Sequence, residues 1–170
     1  MSKNLPAPAS TLGGMQGDSV LALALLIGFV AGLRSLTAPA VVSWAAHLGW
    51  LDLGGSPLAF MGSTVAVVIF SIAAVGEFAA DLHPATPKRT APGPLLARIL
   101  LGGLSGAALT VAAQRSMLAG ALLGGAGGLI GAFAGYQART QLTAAFKKGK
   151  LIAVIEDLIA IVLAITIVSR

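Results

Sequence analysis

Residues 19–50 read SVLALALLIGFVAGLRSLTAPAVVSWAAHLGW, and the interpretation of the whole chain starts from this stretch. Arg34 is the only formally charged residue in it. A straight helix of this length would extend about 48 Å, whereas the hydrocarbon layer of a membrane is about 30 Å thick. Pro39 lacks an amide donor and disfavours helix in the preceding residue, so we predict a break near residues 34–37. A second helical piece should follow over residues 39–48, capped by a hydroxyl side chain of the break.

The composition of the chain differs from that of soluble proteins. Of its 170 residues, 56% are hydrophobic and 10% are charged, whereas soluble domains carry about 25% charged residues. The chain has no cysteine, which excludes disulfides and thiolate metal sites. His47 and His83 are far apart and match no metal-ligand spacing. We therefore predict neither a metal nor a cofactor.

Further apolar segments follow the first one and complete the predicted architecture. They cover approximately residues 57–81, 95–114, 117–139 and 151–169. Each is long enough to cross the hydrocarbon layer, which takes about 17–25 mostly apolar residues. The predicted fold is all-α, a membrane bundle of about five transmembrane helices with a broken first helix. Residues 1–18, rich in proline and glycine, are predicted to form a flexible tail, and residues 19–170 a single transmembrane domain.

Lysine and arginine residues flank the apolar segments, and their distribution predicts an orientation. The net charge of +5 is not accompanied by a basic stripe with aromatic residues, so the predicted partner is the lipid bilayer and not nucleic acid. The positive-inside rule favours a cytoplasmic N-terminus and an external C-terminus. The residues then predicted inside are Lys3, Lys88, Arg89, Arg98, Arg139, Lys147, Lys148 and Lys150, and those predicted outside are Arg115 and Arg170.

Glycines recur at intervals of four residues in three of the apolar segments. The pairs Gly28 and Gly32, Gly102 and Gly106, and the longer series from Gly120 in the fourth segment follow this pattern. Residues four apart share a helix face, and glycine on that face lets two backbones approach closely. One interpretation is packing within a compact bundle. The alternative is a homo-oligomer, or a larger membrane complex, assembled through these faces.

A short internal similarity raises the possibility of an inverted repeat. Residues 26–32, LIGFVAG, match residues 129–135, LIGAFAG, at five of seven positions. In a five-span bundle the two copies would run in opposite directions, as in many secondary transporters. The alternative is a chance match, because the chain is rich in leucine, alanine and glycine.

Several charged residues lie within or at the ends of the apolar segments, where a charge costs at least ~2.5–3.5 kcal/mol. These candidate pocket residues are Arg34, Glu77, Asp81, Arg139, Glu156 and Asp157. The leading hypothesis is a transporter-like or channel-like protein for a small polar solute or ion. Glu77 and Asp81 would bind or relay charge, with Arg34 and Arg139 as counter-charges. The alternative is a non-catalytic structural or assembly subunit, in which salt bridges between these residues fix the bundle.

The chain lacks common catalytic signatures, so the sequence gives an enzyme hypothesis little support. The chain has no Gly-x-Ser-x-Gly elbow, no Walker loop and no His-Glu-x-x-His motif. A lipid-handling enzyme remains a third hypothesis, because the segment between Asp81 and Arg98 has charged side chains that would face lipid headgroups. We predict that the protein is not an enzyme.

The chain also resembles a known family. The residues that carry the resemblance are GEFAAD at 76–81, PATPKRTAP at 84–92, LAR at 96–98 and GLRS at 32–35. They resemble a bacterial family of small polytopic membrane proteins of the DUF4126 type, a domain of unknown function, over about residues 21–167. The resemblance implies a multi-span α-helical protein with no established activity, and therefore transfers no catalytic residue.

The loop motif of this resemblance adds candidate site residues to the apolar ones. His83, Arg89 and Arg98 belong to the loop between the second and third segments or to its end. If Glu77, Asp81, Arg89 and Arg98 form the signature of the family, these are the first positions to test. From the 16 uncharged residues between Arg98 and Arg115 we expect both arginines to extend toward the headgroups.

Overall fold

The computed structural model describes residues 17–81, 90–146 and 149–170, and within these residues it contains α-helices and one short 3-10 helix but no strand. The all-helical prediction is confirmed. The α-helices are α1 (Gly17–Leu33), α2 (Thr37–His47), α3 (Thr64–Asp81), α4 (Pro92–Ala112), α5 (Met117–Phe146) and α6 (Gly149–Val168), and the 3-10 helix is Ala59–Gly62. The predicted tail at residues 1–18 lies almost entirely outside the described residues.

Long apolar helices identify the chain as a membrane protein. Among the described residues, three helical stretches are long and apolar enough to cross a membrane: Pro92–Ala112, Met117–Phe146 and Leu151–Val168. Two shorter helical stretches, Asp18–Leu33 and Thr64–Ala80, are also apolar. These five stretches correspond to the five apolar segments of the sequence.

Two helix boundaries differ from the prediction. The second segment was expected to be helical from about residue 57, but α3 begins at Thr64. The Oγ of Ser63 accepts a hydrogen bond of 3.1 Å from the amide of Ala66, so a serine cap fixes the start of α3. At the other boundary, α5 continues to Phe146 instead of ending near Arg139. It adds about two turns, because its polar residues after Arg139 are compatible with helix.

The core of the bundle consists of α1, α4 and α5, which approach one another at glycines. Gly124 of α5 lies between Gly28 of α1 and Gly102 of α4. A Cβ atom on Gly28 would overlap the carbonyl oxygen of Gly124, and one on Gly102 would lie 2.6 Å from that oxygen. Three backbones therefore meet where no side chain fits, as in other small-residue interfaces of membrane helices. We refer to α1, α4 and α5 as the glycine core.

The two ends of the described chain lie at the same end of the bundle. Helix α6 runs antiparallel to α1, because Arg34 at the end of α1 pairs with Asp157 near the middle of α6, and Ser19 lines one cavity with Arg170. The prediction that the two termini lie on opposite sides is therefore wrong. We call this end, with Ser19 and Arg170, the terminal end. The opposite end, where α4 and α6 begin, is the loop end.

The two ends of the described chain lie at the same end of the bundle because the chain reverses its direction at the predicted break. The break itself is confirmed at residues 34–36. Helix α2 runs antiparallel to α3, since the amide of Ser35 contacts Glu77 at one end and His47 lies 2.9 Å from the carbonyl oxygen of Gly62 at the other. Both α1 and α3 end near the level at which α4 begins, so the intervening α2 must lead away from that level and α3 must return to it.

The direction in which α2 leads follows from its surroundings. It contacts α4 and α6 and buries most of its side chains, whereas α3 exposes an apolar face that includes Val65, Ile69 and Ile72. Helix α2 therefore folds back into the bundle toward the terminal end, and α1 and α2 form a helical hairpin. The expectation that residues 19–50 make one pass is wrong. At 11 residues, or about 16 Å, α2 is too short to cross the hydrocarbon layer by itself.

Candidate functional site

Ion pairs join the glycine core to the outer helices in the half of the bundle near the loop end. Each core helix contributes one arginine, and the outer helices α3 and α6 contribute the carboxylates. We call this group the charge cluster, and its pairs are Arg34 with Asp157, Arg98 with Glu77, and Arg139 with Glu156. The sequence predicted that most of these residues lie at similar depth. It did not predict these pairs, since it assigned Arg34 and Arg139 as counter-charges of Glu77 and Asp81.

Arg34 is the most deeply buried charge of the cluster, at 1% exposure. It follows α1 directly, and its guanidinium pairs with the carboxylate of Asp157 on α6. The guanidinium carbon also lies 5.0 Å from the centre of the Phe78 ring, within the range of a cation–π contact. The structure describes this pair with Asp157, which the antiparallel packing of α1 and α6 allows. The predicted role of Arg34 as counter-charge to Glu77 and Asp81 stays a prediction, because the side chain of Asp81 lies outside the described residues.

Glu77 caps a helix to which it does not belong. Its Oε1 accepts hydrogen bonds from the amide of Ser35 at 2.9 Å and from the hydroxyl of Ser35 at 2.6 Å. Its Oε2 accepts one from the amide of Leu36 at 2.9 Å. Leu36 is the N-cap of α2, and no side-chain cap hydrogen bond forms within that helix. The expected capping by Ser35 or Thr37 is thus replaced by a carboxylate from α3, which also complements the positive end of the α2 dipole.

Arg98 turns inward, in contrast to its predicted extension toward the headgroups. It is only 6% exposed. Its Nε donates to the carbonyl oxygen of Gly32 at 3.1 Å, its Nη1 donates to that of Pro94 at 3.2 Å, and its Nη2 lies 3.6 Å from Oε1 of Glu77. The prediction is wrong because the backbone carbonyl of residue 32, near the end of α1, lies within hydrogen-bond reach of the side chain. Arg98 therefore belongs with Arg34 and Glu77, which the loop motif alone did not indicate.

Arg139 and Glu156 form the loosest and most accessible pair of the cluster. The nearest nitrogen and oxygen atoms are 4.0 Å apart, and the side chains are 28% and 13% exposed. Both residues line a cavity of about 670 Å³ between α1, α5 and α6, whose other walls are almost entirely apolar. We call this cavity the α5–α6 cleft. Its walls include Phe29 and Leu33 of α1 and Ile155 of α6.

Three of the predicted site residues cannot be placed relative to the cluster. Asp81 ends α3, but its side chain, like the whole of His83 and Arg89, lies outside the described residues. Joint action of Glu77 and Asp81 therefore stays a prediction. Within residues 17–81, 90–146 and 149–170, no group of three or more His, Cys, Asp or Glu residues could hold a metal ion.

Two buried hydroxyl groups of α2 are further polar features of the interior, and the sequence analysis did not identify them as such. Thr37 is 3% exposed and Ser43 is 0% exposed. Among the described residues, neither Oγ1 of Thr37 nor Oγ of Ser43 has a hydrogen-bond partner. A buried polar group without a partner costs about 1–3 kcal/mol. A bound water molecule or polar solute at either position would remove that cost. The signal that the sequence offers for these two residues is a hydroxyl side chain within an apolar segment, at the end of the predicted break or C-terminal to it.

Comparison with known proteins gives a family and no activity. No curated protein and no solved structure matches the chain. The match to a family covers residues 21–169, which include all members of the charge cluster, the whole of α2 and all but the first turn of α1. It confirms the resemblance that was carried by the motifs around Arg34, Glu77 and Arg98. The chain therefore belongs to the family described as a domain of unknown function, DUF4126.

Proposed function

We propose that this protein is a non-catalytic structural or assembly subunit of a membrane complex. In this proposal, the charge cluster fixes the helices of the protein relative to one another. The observation that carries the proposal is the coordination of Glu77. Its carboxylate is surrounded by the amide and hydroxyl of Ser35, the amide of Leu36 and the guanidinium of Arg98. A carboxylate that binds a transported cation or relays a proton needs an oxygen that faces water or the ion. In this protein, both oxygens of the Glu77 carboxylate already accept hydrogen bonds from groups next to the break.

The burial of Arg34 supports the same proposal. A conducting pathway through the cluster would require a water-filled crevice that reaches Arg34 or Glu77, but Arg34 is 1% exposed. Membrane interiors tolerate charges mainly where these pair with one another or with backbone groups. Arg34, Arg98 and their carboxylate partners fit that pattern.

A flux measurement tests the proposal. The purified protein is reconstituted into liposomes, and the uptake of protons, Na⁺, K⁺ and small neutral solutes is compared with that of liposomes that contain Arg34→Met/Asp157→Leu. This variant lacks the central pair but leaves no single buried charge. We expect both preparations to be equally tight. A flux that the wild-type chain supports and the variant loses, while both remain folded, would contradict the structural proposal.

Transport of a small polar solute is the second candidate, and the hydroxyls of α2 are the observation in its favour. Thr37 and Ser43 place polar atoms without described partners inside the bundle. If these atoms bind a solute, Thr37→Val and Ser43→Ala should reduce uptake without reducing stability. In the structural proposal, the same substitutions should stabilise the protein slightly, because each removes a buried hydroxyl that has no described partner.

We also propose that the loop end faces the cytoplasm of a bacterium and that the chain resides in the inner membrane. The connections from α3 to α4 and from α5 to α6 contain Lys88, Arg89, Lys147 and Lys148 in sequence, whereas the turn from α4 to α5 contains Arg115 alone. The positive-inside rule then places the start of α1 and the end of α6 outside. This orientation reverses the one that the sequence suggested for the N-terminus.

The absence of cysteine makes this orientation easy to test. Thr90→Cys labels the connection at the loop end, and Ser116→Cys labels the turn between α4 and α5. In intact spheroplasts, a membrane-impermeant maleimide should react with Cys at position 116 and not at position 90. The opposite pattern would reverse the proposed orientation.

A further inference from the structure

We propose that the connection between α2 and α3, residues 48–63, lies in the lipid headgroup layer at the terminal end, where its exposed apolar side chains contact lipid. The exposed side chains are those of Leu48, Trp50 and Phe60, together with Trp44 from the last turn of α2. We call these four side chains the interfacial surface. Neither the orientation of the chain nor the role of the charge cluster enters this inference, because Glu77 lies at the other end of α2 and α3.

The depth of the connection follows from the lengths of the helices. Helices α1 and α2, with 17 and 11 residues, meet at the break and extend about 25 Å and about 16 Å toward the terminal end. From Glu77, which binds the break, back to Thr64, α3 extends about 20 Å. Both ends of the connection therefore lie about 5–9 Å short of the start of α1. Helix α1 is apolar from Val20 onward, so its start marks the headgroup level, and the connection lies no farther out.

The composition of the connection suits lipid better than water. Asp52 is the one formally charged residue among residues 48–63, and no lysine or arginine lies between Arg34 and Lys88 in sequence. The connection is apolar on two sides. Toward the core it buries Leu51, Leu53, Leu58 and Met61, and away from the core it leaves Leu48, Trp50 and Phe60 between 40% and 56% exposed. Exposed apolar groups of this kind mark a contact with a membrane or with another protein.

The backbone of the connection can tolerate a position close to hydrocarbon. Irregular backbone is excluded from the lipid interior unless its polar groups are satisfied within the protein. The amides of residues 48–51 donate to carbonyl oxygens in the last turn of α2, at 2.8–3.3 Å. Farther along, the amides of Ser56, Ala59, Met61 and Ser63 each donate to a carbonyl oxygen three residues earlier. The carboxylate of Asp52 is also used internally, since its Oδ1 accepts a hydrogen bond from the amide of Gly54 at 2.9 Å.

The tryptophan at the end of α2 favours lipid over a partner protein as the occupant of this surface. Tryptophan is enriched at membrane interfaces, because its ring is apolar and its indole N–H is polar. The Nε1 of Trp44 donates to the Oγ of Ser71 on α3 at 3.0 Å, while the side chain stays exposed. The interfacial surface thus adjoins α3, whose exposed Val65 and Ile72 form part of the apolar face of that helix. Lipid that covers this face continues without interruption onto the connection.

Tryptophan fluorescence tests the depth, because the chain has two tryptophans and both belong to the interfacial surface. Trp44→Phe and Trp50→Phe each leave one reporter. Each variant is reconstituted into phosphatidylcholine vesicles with acyl chains brominated near the glycerol or near the terminal methyl group, and iodide is added as a quencher in water. We expect the bromines near the glycerol to cause the largest loss of fluorescence in both variants. The wild-type chain, with both reporters, gives the same reading if one variant does not fold.

The other outcomes of the quenching experiment would each overturn the proposal. The largest loss with iodide would mean that the connection projects into water. The largest loss with bromines near the methyl group would place it in the hydrocarbon interior. Protection from all three quenchers would mean that a second copy of the chain covers the surface.

A spin label at Phe60 tests the same depth without tryptophan, because the chain has no cysteine. Phe60→Cys is labelled with a nitroxide, and collisions with oxygen, which concentrates in hydrocarbon, are compared with collisions with a water-soluble nickel chelate. The matched controls are Ile72→Cys, on the exposed face of α3, and Ser116→Cys, in the turn between α4 and α5. The ratio of oxygen to nickel collisions at position 60 should lie between those of the two controls. A ratio equal to that at position 116, or exclusion of both reagents from position 60, would refute a lipid contact.

Discussion

The glycine core and the outer helices are held in the bundle by different contacts. In the core, α1, α4 and α5 touch through backbones at Gly28, Gly102 and Gly124, where no side chain intervenes. Helices α3 and α6 are tied to that core by ion pairs, with the arginines on or directly after the core helices and the carboxylates on the outer ones. Helix α6 also buries small residues, Ala160 and Ala164, in the core cluster. Lipid tails are as apolar as leucine, so burial of apolar side chains alone favours helix association little, and we expect the ion pairs to add to the packing of the outer helices.

The largest effect is expected where an ion pair is broken from the core side. Arg34→Met removes the buried cation beside the partly buried carboxylate of Asp157, and the loss should be about 3–5 kcal/mol of unfolding free energy. The double variant Arg34→Met/Asp157→Leu removes both charges and should recover most of that loss. Thermal or denaturant unfolding in detergent measures both. If the single variant is as stable as the wild-type protein, the ion pair of Arg34 with Asp157 does not hold α6 against the glycine core.

The next prediction concerns the glycine core, to which Gly124→Ala adds a single methyl group. Gly124→Ala places a Cβ atom against the backbone of Gly102, so two helices must separate, at a cost of about 1–3 kcal/mol or more. The matched control is Gly76→Ala in α3, where no atom lies within 4 Å of the added methyl group. That control should stabilise the protein by up to about 1 kcal/mol, because alanine is the better helix former. Equal effects in the two variants would show that close backbone approach is not what holds the core.

The cap on α2 connects an outer helix to the end of the glycine core, because Glu77 of α3 binds the residues that follow α1. Glu77→Gln keeps the shape of the side chain but places an amide NH₂ group among donors that need an acceptor, so stability should fall by about 1–3 kcal/mol. Ser35→Ala removes only the hydroxyl donor and should cost less, about 0.5–1.5 kcal/mol. The difference in unfolding free energy between these variants measures the contribution of the carboxylate. A larger loss in Ser35→Ala than in Glu77→Gln would mean that the hydroxyl, and not the cap, is the important contact.

Much of this arrangement could be predicted from the sequence, and the failures have physical causes. The apolar lengths and Pro39 predicted helices and a break near Arg34, because these depend on local chemistry. The reversal of the chain at that break was missed, since it depends on the carboxylate of Glu77, more than 40 positions away in sequence. Arg98 was misplaced for a similar reason, because one of its acceptors is the carbonyl oxygen of Gly32 in α1, 66 positions away in sequence. The pairing of Arg34 with Asp157 required the relative direction of two helices.

The smallest effect on stability is expected at the third ion pair, which is the most exposed of the three. Arg139 and Glu156 also connect the core to α6, but at 4.0 Å and with the arginine partly exposed. Solvent and headgroups screen such a pair, so Arg139→Gln should change the unfolding free energy by less than about 1 kcal/mol. Unfolding of Arg139→Gln beside Arg34→Met measures the contrast between an exposed and a buried pair within one bundle. Equal losses in the two variants would mean that Arg139 anchors α6 as firmly as Arg34 does.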